Sequence, residues 1–84
     1  MREFELRPID GRKSFYCKAI VIEKDNGDVD LRSYQTVVCG IRNGKFVKFW
    51  DDYSATTMRH IKAFCNAYDI DGGGKKWWDS LETA

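Results

Sequence analysis

Between Phe15 and Trp50 apolar side chains recur at every second residue, whereas from Met58 onward they recur at three- and four-residue spacing. A chain whose hydrophobic period changes once, from that of a strand to that of a helix, forms its sheet first and lays a helix on it afterwards. With 84 residues the chain has room for one small domain, spanning residues 1–84. The expected fold class is therefore α+β, an antiparallel β-meander of three or four strands packed against one C-terminal α-helix, followed by a short C-terminal helical turn.

In the first strand, residues 14–24, the odd positions Phe15, Cys17, Ala19 and Val21 share one face. Asp25-Asn26-Gly27-Asp28 carries turn chemistry. A second alternating run from Leu31 to Ile41 has Leu31, Val37, Cys39 and Ile41 on its odd face, interrupted by Ser33 and Gln35. A register in which odd positions face odd positions keeps both apolar faces together, because a one-residue slip turns a whole strand over. One such register sets Cys17 opposite Cys39. A three-residue loop around Gly44, in the left-handed region, sets Val47 against Cys39 and Phe49 against Val37 in a third strand. Phe4-Glu5-Leu6 offers a short edge strand, ended by Pro8. On these registers Val21, Val37, Ile61 and Phe64 are core residues.

The helix is expected over residues 54–68, with Ser54 as N-cap and the glycines at 72–74 as its stop. Met58, Ile61, Phe64, Cys65 and Tyr68 form its apolar stripe, and Thr56, Arg59, Lys62 and Asn66 face outward. In the terminal Lys75–Glu82 segment at least one tryptophan should dock on the body.

Fourteen Lys and Arg against thirteen Asp and Glu leave a net charge of +1, too little to hold nucleic acid or an anionic membrane by overall field. The first eight residues alternate charge and hydrophobe and lack the apolar run of a signal peptide, and no stretch is long enough to cross a bilayer, which predicts a cytoplasmic protein without a membrane partner. The odd cysteine count, without a Cys-x-x-Cys pair, predicts three buried, reduced thiols. His60 and Cys65 diverge around the helix axis, so no metal is expected. No glycine-rich phosphate loop precedes a helix, and no cofactor is implied.

The densest polar cluster runs from Tyr53 through Ser54, Thr56, Thr57, Arg59 and His60, with Lys62 one turn on. Hydroxyls and cations at a helix start, where backbone amides are unpaired, suit a phosphate or a partner's carboxylate. In the plainer reading Ser54 and Thr57 cap the helix, Arg59 is solvated and His60 packs at the sheet edge. A lone histidine could activate Ser54, Thr56 or Cys65, but no third group orients it, so the expected protein is not an enzyme. On the outward sheet face, Tyr16, Lys18, Tyr34, Lys48 and Trp50 interleave aromatic and basic side chains, and with Arg59 this mix suits stacked bases and phosphates. Cross-strand aromatic and lysine pairs also occur for stability alone.

The string Leu31-x-Ser33-Tyr34-x-Thr36, then Trp50 and Tyr53-Ser54-x-Thr56-Thr57-x-Arg59-His60-Ile61-x-x-Phe64, resembles a family of short uncharacterised proteins of phages, plasmids and other mobile elements of gut bacteria. The resemblance runs from Phe15 to about Trp78. It implies a non-enzymatic binder of a host protein or nucleoprotein, with DNA or RNA binding as the alternative. Cys17 and Cys39 stand where that pattern has small or polar residues, which argues against a role for those thiols.

Overall fold

The computed structural model describes residues 1–11, 13–52, 54–72 and 74–84. Tyr53, at the head of the polar cluster, and Gly73, in the glycine run expected to stop the helix, lie outside the described residues. Five strands form an antiparallel meander in sequence order: β1 Arg2–Glu5, β2 Ala19–Glu23, β3 Val29–Ser33, β4 Thr36–Arg42 and β5 Lys45–Lys48. Helix α1, Ala55–Ala67, covers one face, and a short α2, Lys75–Ser80, follows. This is the α+β architecture that the change of period predicts, with the edge strand formed. Among the described residues no helix is long and apolar enough to cross a membrane.

Strands β2 and β3 pair odd with odd, Val21 on Leu31 and Ala19 on Ser33. All four residues are buried because both strands turn the same face to the helix. The Cys17–Cys39 juxtaposition does not occur. Cys39 pairs with Leu31, and Cys17 precedes β2 in a tight turn in which the Lys18 amide donates to the Phe15 carbonyl at 3.0 Å. The first strand thus begins later than its pattern. Cys17 is exposed instead of buried, while Cys39 and Cys65 are buried, and all three are unpaired.

The run from Leu31 to Ile41 is two strands. Its polar interruption, Ser33 to Gln35, is the hairpin: Ser33 pairs with Thr36, and Tyr34 takes a φ of 57°. A bulge between Leu31 and Arg32 then admits Val38 to the core at 1 % exposure and turns out Val37, which was expected inside and is 36 % exposed.

At the next hairpin the loop has two residues, Asn43 and Gly44, both in the left-handed region, as a type I′ turn requires. Arg42 pairs with Lys45, Ile41 with Phe46 and Cys39 with Lys48, one residue out of step with a three-residue loop. Phe46 packs on the core, and Lys48, expected to face outward, is 3 % exposed. The burial is tolerated because the Lys48 ammonium donates to the carbonyls of Trp78 at 2.9 Å and Leu81 at 3.4 Å, lies 3.5 Å from Asp51 and sits over the Trp78 ring. Lysine here does what a helix C-terminus calls for, satisfying its last carbonyls.

Ser54 caps α1 as expected, its Oγ accepting from the Thr57 amide at 3.0 Å. Met58, Ile61, Ala63, Phe64 and Cys65 bury the stripe, and Tyr68 is half-buried. The helix ends before the glycines. Asp69 takes a φ of 57° directly after the cap residue Tyr68, and the Ile70 amide donates to the Cys65 carbonyl at 2.8 Å, the six-to-one bond of a Schellman ending. Asp69, tolerant of left-handed backbone, replaces the expected glycine. Trp78 is the tryptophan that docks, at 1 % exposure, its Nε1 donating to the Asp52 carbonyl at 2.7 Å.

Candidate binding site at the helix start

The helix start reaches the sheet through a buried polar network. Ser33 ends β3 on the helix side, where an apolar residue would otherwise sit. Its Oγ lies 2.7 Å from His60 Nδ1 and 3.1 Å from Thr57 Oγ1. All three residues are buried, and the two hydroxyls and the His60 Nδ1 find their partners there. Phe15 packs edge-on against His60 at 4.5 Å between ring centroids, and Tyr34 lies tilted across the ring at 5.8 Å.

His60 faces a small hollow of about 170 Å³, rimmed by Tyr16, Lys18, Tyr34 and Arg59. Ser14 and Thr56 add hydroxyls at its sides. The rim is held by two turns whose backbones are joined, since the Tyr34 amide donates to the Lys18 carbonyl at 2.7 Å. Ser14 Oγ accepts from the Tyr16 amide at 2.7 Å and closes the second turn from below. Tyr16, Cys17 and Tyr34 all have positive φ, 53°, 63° and 57°. Glycine, asparagine or aspartate adopt that conformation at lower cost. Tyr16 nevertheless remains 75 % exposed and Tyr34 47 % exposed, so burial does not offset the strain. The Lys18 ammonium stands 5.5 Å from the Tyr34 ring centre, a cation–π contact that keeps the charge at the rim. Arg59 is half-buried, with Nε 3.7 Å from Asp10 Oδ2. Among the described residues no carboxylate lines the hollow.

Of the polar cluster expected to bind, Thr56, Arg59 and His60 meet here. Ser54 is spent on the cap and Thr57 on Ser33, both behind the hollow. Lys62 is exposed on another face, beside Asn66, Ile70 and Asp71. The aromatic and basic set expected on the sheet is divided: Tyr34 joins Arg59, whereas Lys48 is sealed under α2 and Trp50 packs half-buried against the core. The sequence reading missed Ser33. Its signal was a hydroxyl interrupting an apolar face, with Thr57 and His60 a turn apart on the helix to receive it. Among the described residues no three His, Cys, Asp or Glu side chains meet to hold a metal.

Burial, reinforced by the positive charges of Arg59 and Lys18, holds His60 down at about 4, against an ordinary value of 6.5. The ring is neutral at pH 7. Between pH 6.5 and about 4 the unfolded state binds this proton and the folded one does not. Stability is therefore full above the upper value and falls as the solution is acidified, by up to about 3 kcal/mol. Urea melts across that interval should show the decline in the wild type and a flatter profile in His60→Gln, whose side chain does not titrate. Parallel profiles would mean that His60 is protonated in the fold.

No curated protein and no solved structure matches the sequence. The sequence profile of a family of unknown function, DUF8033, matches residues 4–80, nearly the whole meander together with both helices, and the chain belongs to that family.

Proposed function

We propose that this protein is a non-enzymatic interaction module of phage or mobile-element origin that binds a protein or nucleoprotein of its host through the hollow between Tyr16, Tyr34, Lys18 and Arg59. One observation carries the reading: two large aromatic residues occupy strained left-handed positions at the rim and stay exposed. Such strain concentrates at ligand clamps, and exposed tyrosine is the residue type that anchors protein interfaces. The chemistry of the buried network supports a binder over an enzyme. Ser33 is 3 % exposed and, unlike His60, does not line the hollow, so no substrate carbonyl reaches its Oγ. The third member of the network is the hydroxyl of Thr57, where a catalytic histidine needs a carboxylate to stabilise its charged form. The resemblance to mobile-element proteins points the same way.

Nucleic-acid binding is the second reading, favoured by the Tyr34, Lys18 and Arg59 grouping. The immobilised protein and its Tyr16→Ser/Tyr34→Ser variant, both exposed to bacterial host lysate, separate the two. A host protein retained by the wild type and lost by an equally stable variant is the expected result. Equal retention by both would remove the hollow from the interface. A complex with purified oligonucleotides that dissolves between about 50 and 300 mM salt would transfer the site to the second reading.

A further inference from the structure

Resting on that reading, we propose that the hollow takes a single carboxylate of the partner protein, from an Asp or Glu side chain or a free C-terminus, held between Lys18, Arg59 and the Nε2–H of His60. Size limits the guest first. At about 170 Å³ the hollow is smaller than the several hundred Å³ that nucleotide- or drug-sized ligands occupy, and suits one side chain. Charge limits it next. Two cations rim the hollow with no lining carboxylate among the described residues, and Asp10, 3.7 Å from Arg59 Nε, is too distant for a hydrogen bond and leaves the guanidinium fork donors to spare.

The floor is the third constraint. His60 is 1 % exposed and engages Ser33 through Nδ1, so Nε2 is the ring atom left for a guest in the hollow. When Thr57 donates to Ser33 and Ser33 donates to Nδ1, the ring's one proton sits on Nε2 and becomes a donor. That sense of the hydroxyl chain gives the ring the tautomer that a carboxylate requires. Because the ring stays neutral at pH 7, it adds direction without charge, and the two cations supply the attraction. Ser14 keeps its hydroxyl proton available while its oxygen accepts from Tyr16. An amide guest of the same shape would bring an NH2 group to a ring of donors and be rejected.

The test is an NMR titration of isotope-labelled protein at pH 7.5 with three probes: N-acetylglutamate amide, N-acetylglutamine amide and inorganic phosphate. The glutamate probe should shift the Tyr16, Lys18 and Tyr34 amides and the His60 Nε2 resonance together, saturating with a Kd of about 1 to 10 mM. The glutamine probe should leave them in place. Arg59→Gln, at a half-exposed position, and Lys18→Gln, at an exposed one, should each weaken glutamate about tenfold with the thermal midpoint unchanged. Equal response to both amino-acid probes, or none to either, overturns the carboxylate. Tighter binding of phosphate than of glutamate overturns it too and favours a nucleic-acid partner. The lysate comparison reads the module independently: a partner still lost by Tyr16→Ser/Tyr34→Ser, with no glutamate response, removes the carboxylate and leaves the binding module standing.

Discussion

Truncating Trp78 to alanine is expected to cost about 3 to 5 kcal/mol of unfolding free energy, a large share of what a domain of this size possesses. Three separate losses combine at this position. The ring is 1 % exposed and packs against Phe46 and Trp77, so its removal leaves a cavity between α2 and the edge of the sheet. The Asp52 carbonyl loses the indole donor that it accepts at 2.7 Å. The Lys48 ammonium, 3 % exposed, loses the ring it lies over at 5.0 Å. The docked end also orders the tail, since the Ala84 amide donates to the Lys48 carbonyl at 2.7 Å and Thr83 bridges to β5. That bridge covers part of an edge strand that would otherwise offer unpaired backbone. Urea denaturation of Trp78→Ala should therefore show a large fall in midpoint, and Trp77→Ala, at a half-buried position, a smaller one. A loss below about 1 kcal/mol for Trp78 would mean that α2 is an ornament on a sheet stable without it.

How much of this was legible in the sequence depends on whether the local signal was chemical or only conformational. Helix α1 was readable because its cap, Ser54, and its apolar spacing are both written in side chains. A one-residue slip between β2 and β3 was excluded by burial alone. The two turns that build the hollow were not readable. Tyr34-Gln35 and Tyr16-Cys17 contain none of the glycine, proline, asparagine or aspartate that mark turns, and what joins them into one rim is the tertiary bond between the Tyr34 amide and the Lys18 carbonyl. A strand pattern interrupted by Ser33 therefore read as one long strand, and Tyr16, Lys18 and Tyr34 read as a flat face. Lys48 failed for a different reason. A lysine is assigned to solvent by default, and only the carbonyls of a helix thirty residues later in the sequence show why it is inside. Arg59 and His60 stood out in the sequence as part of a polar cluster, and both line the hollow, but the depth of His60 came from Ser33, on another element.

A second large effect is expected on the opposite face of the sheet, at a residue with no side chain. In Gly40→Ala the new Cβ would stand 2.3 Å from the Val29 carbonyl oxygen, 3.0 Å from Asp30 Oδ1 and 3.3 Å from Arg42 Nη1. Gly40 pairs with Asp30 across the ladder, so the carbonyl belongs to the sheet and cannot retreat without parting β3 from β4. Nor can the carboxylate swing away at low cost. Asp30 is 7 % exposed, held by Arg42 Nη2 at 2.7 Å and Lys24 Nζ at 3.2 Å, and Arg42 Nη1 also donates to the Val29 carbonyl at 3.2 Å. The methyl group therefore strikes a backbone atom and pries at a buried ion pair together, for about 3 to 5 kcal/mol. Gly27→Ala supplies the contrast. Its φ is +92° but nothing lies within 4 Å of the new atom, so only the backbone strain of about 1 to 2 kcal/mol should appear. Coupling distinguishes the two contributions at Gly40. If the carboxylate bears part of the clash, Asp30→Ala should cost less in the Gly40→Ala background than in the wild type. Strict additivity would assign the whole effect to the Val29 carbonyl. The hollow lies on the helix side of the sheet, so partial melting of Gly40→Ala should weaken the proposed partner capture only in step with the folded fraction. A loss of capture that outruns unfolding would place part of the partner's footprint on the outer face, around Arg42 and Asp30.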